Sequence, residues 1–354
     1  MTRRSLPILA AGMALLVAAG GAASAQSPGK SASETSYAKA RPVLDAAVEA
    51  AGGRQALQSI KDVSRKGTGT AFNQGQSLTP EPPYTSRPVA VTSVVDFANR
   101  RSATETATTP QGGVASKARA VLAGDAGFGV NLVTNVVTPV TPGGLTGMRT
   151  ALRRDPAAVL LTAAGRAETL RFLGEESFAG ASHRVITFAD SDGTQIALYV
   201  GAGTSLLSKY ETLADNPVLG DTVSEVVFSD YRRVGNVTLP FRVVNRTGGE
   251  VTQELQYGEI SINTLPATGL FDTPRDLVTG TPAAPPGTVS VRKLADDVYL
   301  AEGSSHHSLF VAFADHVVLV ESPQSEERVN AVLAKIRETV PGKPVKYVVP
   351  THHH

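Results

Sequence analysis

The chain of 354 residues contains no cysteine and no tryptophan, and its aromatic content is 8 tyrosines and 11 phenylalanines. Without cysteine there can be no disulfide, no thiolate zinc ligand, no cysteine nucleophile and no lipid-modified N-terminal cysteine. Sparse aromatics weaken any role that depends on stacking nucleic-acid bases. Charge of one sign is lacking too: 33 Lys+Arg face 32 Asp+Glu, a formal net charge of +1. This balance offers no field to draw nucleic acid or an anionic membrane surface, and no nucleic-acid partner is expected. Beyond the first residues no run approaches ~18 uninterrupted apolar positions, so no membrane span is expected.

At the N-terminus, Arg3-Arg4 precede a short apolar stretch over residues 6–19. Ala23-Ser24-Ala25 then offers a small-x-small cleavage site. Residues 1–25 therefore read as an export signal, with a twin-arginine variant open, and the mature chain is expected in the periplasm or secreted. Residues 26–36 read as a flexible segment rich in Ser, Gly and Ala. From Tyr37 to Ala51 the apolar positions Ala38, Val43, Leu44, Ala47, Val48 and Ala51 share a helical face, and Gly52-Gly53 ends it.

The period then changes to two. Strands are expected near residues 63–71, 90–97, 102–108, 169–175, 183–188, 194–200, 207–213, 223–231, 242–246 and 251–262. Asp192-Gly193 and Gly248-Gly249 suit hairpin turns, and residues 145–154 and 156–167 read as a helical insertion. Residues 37–276 thus read as an α+β domain. It has an N-terminal helix and a curved antiparallel sheet, a half-barrel. Residues 277–288, with Pro282, Pro285 and Pro286, read as a linker to a last region, 289–354. There short strands and the stripe Val329, Val332, Leu333 and Ile336 give a β-β-α-β order. Ser322 and Pro323 stand where a helix could start.

The closing residues, 346–354, run an apolar strand into Thr351-His352-His353-His354. In extended backbone, His352 and His354 point the same way and could face one metal. With 298–303, 308–311 and 316–321, this segment resembles the opening of a metallo-β-lactamase-fold hydrolase. The resemblance implies the first β-β-α-β portion of an αββα fold and one or two zinc ions in a complete member. It also implies His352 and His354 as metal ligands and hydrolysis of a small-molecule ester, thioester, lactam or phosphoester. Thr351, Glu321, His306 and His307 are then candidates for orienting ligands or lining a substrate loop. The family's following Asp-His and its later ligands do not occur before residue 354, so the expectation is weak or absent zinc and no turnover in this chain.

Residues 50–61 and 231–240 loosely resemble the half-barrels of periplasmic lipoprotein carriers. This implies an alternative: a periplasmic binding module for an apolar ligand, a lipid or acyl chain, with a vestigial hydrolase piece. No Gly-x-Ser-x-Gly elbow, phosphate-binding Gly-x-x-x-x-Gly-Lys or dinucleotide glycine fingerprint is present. Catalytic residues are therefore not assigned, and the oligomeric state is not read from the sequence.

Overall fold

The computed structural model describes residues 31–74, 77, 79, 81–109, 115–216, 220–265, 270–272, 278–279, 287–303, 306–322 and 325–351. The export-signal expectation and most of the linker lie outside these residues. Helix α1 (Ala32–Ala50) starts earlier than the apolar stripe implies. The Ser31 Oγ accepts from the Glu34 N–H at 3.2 Å, while the Ser31 N–H donates to the Glu34 carboxylate at 2.7 Å. This reciprocal cap satisfies donors that a bare first turn would leave open. Gly52 ends the helix at φ +120°, and a Cβ there would stand 2.5 Å from the Asn236 carbonyl oxygen. A short helix, α2 (Arg54–Gln58), follows.

A meander comes next: β1 (Asp62–Phe72), β2 (Ser86–Asp96), β3 (Arg101–Thr108), β4 (Ser116–Ala123), β5 (Ala126–Asn131) and β6 (Val136–Pro139). Helices α3 (Pro142–Arg153) and α4 (Val159–Ala164) lead to a second meander. Its strands are β7 (Arg171–Phe178), β8 (Ala181–Ala189), β9 (Gln195–Gly201), β10 (Leu207–Asn216), β11 (Gly220–Val234), β12 (Val237–Thr247) and β13 (Glu250–Ile262). Gly248 and Gly249 turn β12 into β13 at φ +60° and +85°, the left-handed pair a two-residue hairpin demands.

The two meanders fuse where β13 pairs with β1, Val63 lying opposite Ile262. The order is β6-β5-β4-β3-β2-β1-β13-β12-β11-β10-β9-β8-β7, with every neighbouring pair antiparallel. A two-residue strand, β14 (Val278–Thr279), adds parallel to β6. The seam is tight. A Cβ on Gly69 would fall 1.8 Å from the Glu254 carbonyl oxygen, and a bulge between Lys66 and Gly67 leaves Gly258 unpaired.

Helix α1 lays Ala40, Val43, Leu44, Ala47 and Val48 against one face of this sheet, a stripe at i, i+3, i+4, i+7 and i+8. Val63, Ile186, Leu198, Phe228, Leu239 and Ile260 meet it, and α4 adds Val159, Leu160 and Ala163.

A separate five-stranded sheet contains β15 (Ser290–Ala295), β16 (Val298–Glu302), β17 (Ser308–Ala312), β18 (Val317–Val320) and β19 (Val345–Val349), in that order. Between the last two runs α5 (Glu326–Thr339), and β19 is parallel to β18. Its cap is Ser325, whose Oγ accepts from the Arg328 N–H at 3.3 Å, not the expected Ser322. Phe310, Leu319, Val332 and Ile336 form its core. Tyr347, Val348 and Val349 are exposed on the edge strand. The αββα expectation is corrected here. The expected β-β-α-β order is present over 290–349, but as one small sheet with one helix, and that is not the two-sheet sandwich with helices on both outer faces that the fold requires.

Candidate functional site

Antiparallel partners share a face, so the register carries the helix-bearing face from β1 to β6. From Val63 and Arg65 it passes to Ser93 and Val91, then Thr104 and Thr106, then Ala120 and Ala118. It ends on Gly129 and Asn131 of β5 and Thr138 and Val136 of β6. Over β7–β13 this face is covered by helices; over β3–β6 it lies open. Thr104, Thr106, Ala118, Ala120, Gly129 and Thr138 line a groove of about 550 Å³ there. Their side chains are short, so the bed is shallow and rich in methyl and backbone surface. Helix α3 bounds one end, since a Cβ on Gly127 would lie 2.8 Å from Leu145 Cδ2. The middle of this wing's other face is covered. Leu265, Leu270 and Phe271 pack on Val94, Ala103 and Val121, and the Arg101 guanidinium sits 4.2 Å above the Phe271 ring.

Charged groups pin the helices to the sheet. Arg65 reaches Asp155, before α4, through two bonds of 2.8 and 2.7 Å, and both side chains are buried. Asp155 also accepts from the Ala157 N–H at 2.9 Å. Burial alone would lower the Arg65 guanidinium, but the Asp155 charge and hydrogen bonds more than offset it and hold it above its ordinary value. Farther out, Asp190 takes Arg153 at 2.9 Å and Arg154 at 3.3 Å. Burial would raise the Asp190 carboxyl, yet the Arg153 hydrogen bonds and the Ser191 N–H hold it below the usual range.

On the opposite face, Lys209 bonds Glu211 at 2.8 Å and Glu225 at 2.5 Å, under the rings of Phe178 and Tyr199. The His183 Nε2 lies 2.8 Å from the Ser208 hydroxyl. This cluster is closed on itself and reads as a structural ion network.

Of the residues singled out in the sequence, His352 and His354 lie outside the described residues. Glu321 and Thr351 do come together: the Thr351 N–H donates to the Glu321 carboxylate. Glu321 itself sits at φ +66° and donates its N–H to the Val349 carbonyl at 3.1 Å. The His306 carbonyl accepts from Arg328 Nη2 at 3.2 Å, while His307 is exposed. His316 stacks on Phe313 at 5.0 Å and pairs with Asp315. Among the described residues, no three His, Cys, Asp or Glu side chains converge to hold a metal ion.

Sequence reasoning missed Arg328, which is fully buried and donates to the carbonyls of Thr288, Ala301 and His306. Its place on the Val332–Ile336 stripe, four and eight residues back, was the available signal. It also missed β4, β5 and β6, where the groove lies.

No family model matches the chain, and no curated protein matches it. Solved structures do. It is similar to a DUF1329 family protein from Desulfovibrio piger, at 12% identity and a TM-score of 0.41, over 66% of this chain and 97% of that one. It is also similar to a LolA superfamily protein from Nitrosomonas europaea, at 14% identity and a TM-score of 0.40, over 64% and 94%. A third likeness is to the MucA/MucB complex of Pseudomonas aeruginosa, at 12% identity and a TM-score of 0.23, over 82% and 90%.

The resemblance to metallo-β-lactamase-fold hydrolases is corrected, while His352 and His354, on which the zinc expectation rests, lie outside the described residues. No family model of such hydrolases matches the chain, and its last described region forms one small sheet with one helix. The physical reason is that a Thr-His-x-His run is a local pattern, whereas a catalytic zinc needs about three ligands brought in from distant segments. Among the described residues, no helix is long and apolar enough to cross a membrane.

Proposed function

We propose that this chain is an exported, periplasmic binding module for an apolar ligand, a lipid or acyl chain. In this reading the thirteen antiparallel strands of the large sheet form a half-barrel, and its helix-bearing face is shared between α1 and the ligand. One observation carries the reading. The face that is packed with helices over one meander continues, uncovered and lined by Thr, Ala and Gly, over the other. Small side chains let an extended aliphatic chain approach the backbone closely, and burial of each methylene contributes about 0.8 kcal/mol. Sites for small molecules are concave and mostly apolar, at ~300–1,000 Å³, and the groove falls within that span. Export rests on Arg3-Arg4, the apolar residues 6–19 and Ala23-Ser24-Ala25.

The test is titration of the purified full chain with an uncharged, environment-sensitive acyl probe. Ala120→Trp fills the bed and is expected to weaken binding by about tenfold or more, roughly 1.4 kcal/mol. Ala90→Trp, exposed on the opposite face of β2, is expected to leave it unchanged. Equal loss in both variants, or binding that ignores Ala120→Trp, would sink the assignment of the groove.

A further inference from the structure

A second cavity, of about 320 Å³, lies between α3, α4 and the turns that join β2 to β3 and β4 to β5. Phe97, Leu152 and Ala158 give it apolar lining, and Arg100, Arg149 and Arg153 give it three guanidinium groups. Helix α3 belongs to both features: Leu145 bounds the open groove and Arg149, Leu152 and Arg153 line this cavity.

The three arginines are not equally engaged. Arg153 is committed to Asp190 and Asp192 at 2.9 and 3.0 Å. Arg149 holds Asp125 at 2.9 Å, but that carboxylate is fully exposed, and such a pair is worth little. Arg100 has no ion pair and no side-chain hydrogen bond among the described residues. Around the cavity, Arg100, Arg149, Arg153 and Arg154 face Asp125, Asp190 and Asp192, so the Arg100 charge is left without an answering carboxylate. A cationic excess beside apolar lining is complementary to a molecule with an anionic head and an apolar arm.

We infer that this cavity is an anion subsite of the same binding module: Arg100 and Arg149 receive the carboxylate or phosphate head of a single-chain amphiphile, placing its apolar arm along α3. The inference rests on the apolar-ligand reading and narrows its ligand to an anionic one. Guanidinium groups suit both heads because their paired N–H donors match two oxygens at once. A head held this way is bound the more weakly the higher the salt.

The experiment titrates the full chain with decanoate, decyl phosphate, decanol and decyltrimethylammonium below their micellar concentrations. At least one anion is expected to bind about tenfold more tightly than decanol, the scale of one charged hydrogen-bonded contact. The tighter of the two names the source of the head. In the double variant Arg100→Gln/Arg149→Gln that ratio is expected to fall to about one, and Arg100→Lys with Arg149 intact is expected to recover most of it. Circular dichroism of each variant checks that the fold is kept. Equal binding of anions and decanol by the wild-type chain overturns the inference and leaves the apolar bed standing. An unchanged ratio in the double variant also overturns it. Binding of none of the four probes overturns both.

Discussion

The two meanders of the large sheet are built alike and dressed differently. On the helix-bearing face, β8–β13 present Ile186, Phe188, Leu198, Phe228, Leu239 and Ile260, and these are buried beneath α1 and α4. On the same face, β3–β6 present Thr104, Thr106, Ala118, Ala120, Gly129 and Thr138, and these lie open. Large apolar side chains gain ~1.5–3 kcal/mol each from cover, so a helix over them is strongly favoured. Short ones gain much less, and their wing tolerates exposure to water until something elongated and apolar lies down on it. Side-chain size, on one continuous face, thus matches the division of the sheet into a packed half and an available half.

The largest expected effect is at the boundary. Arg65 stands on β1, where the wings meet, and its pair with Asp155 ties the helices to that line. Arg65→Ala strands a buried carboxylate and is expected to cost ~3–5 kcal/mol in urea unfolding. Arg65→Ala/Asp155→Ala should cost clearly less than the two single changes added together. Additive costs would mean that the pair does not act as a unit.

The comparison itself is sharpened by one truncation in each half. Leu44→Ala, on the buried face of α1, is expected to cost ~2–5 kcal/mol through lost burial and the cavity left behind. Thr106→Ala, in the open bed, should stay within ~0.5 kcal/mol. Similar losses in the two would show that the second wing is packed after all.

The smallest expected effect is in pH. The Asp190 carboxyl is held below its ordinary value in the folded chain, so the unfolded state binds its proton first. Its stabilising contribution is therefore complete above the ordinary carboxylate value and is lost as the pH falls through the lowered folded value. The thermal midpoint of Asp190→Asn is expected to converge toward that of the unaltered chain as the medium is made acidic. A gap that widens toward acid would reverse the sign of the argument.

Much of the fold could be read from local pattern. The α1 stripe, the Gly248-Gly249 hairpin and ten of the strands announce themselves through period and turn chemistry. The start of α1 was legible as well, in Ser31 and Glu34, but the capping pattern was passed over for the stripe. Strands β4–β6 were not read because in 116–139 Ala and Gly occupy much of one face and interrupt the alternation around Val121, Phe128, Val130 and Val137. The available bed escaped notice for the same reason that makes it available. Local pattern also misled: Thr351-His352-His353-His354 looks like the start of a metal loop, and nothing nearby in sequence can reveal whether distant ligands join it.

By itself the sequence determined the period of each element, the turns between them and the size of the side chain at every position, because these depend on neighbours a few residues away. Only the tertiary structure decided which wing receives the helices. That choice is made by the pairing of Val63 with Ile262 and of Arg65 with Asp155. These contacts span long stretches of chain, and their favourability depends on everything buried between them.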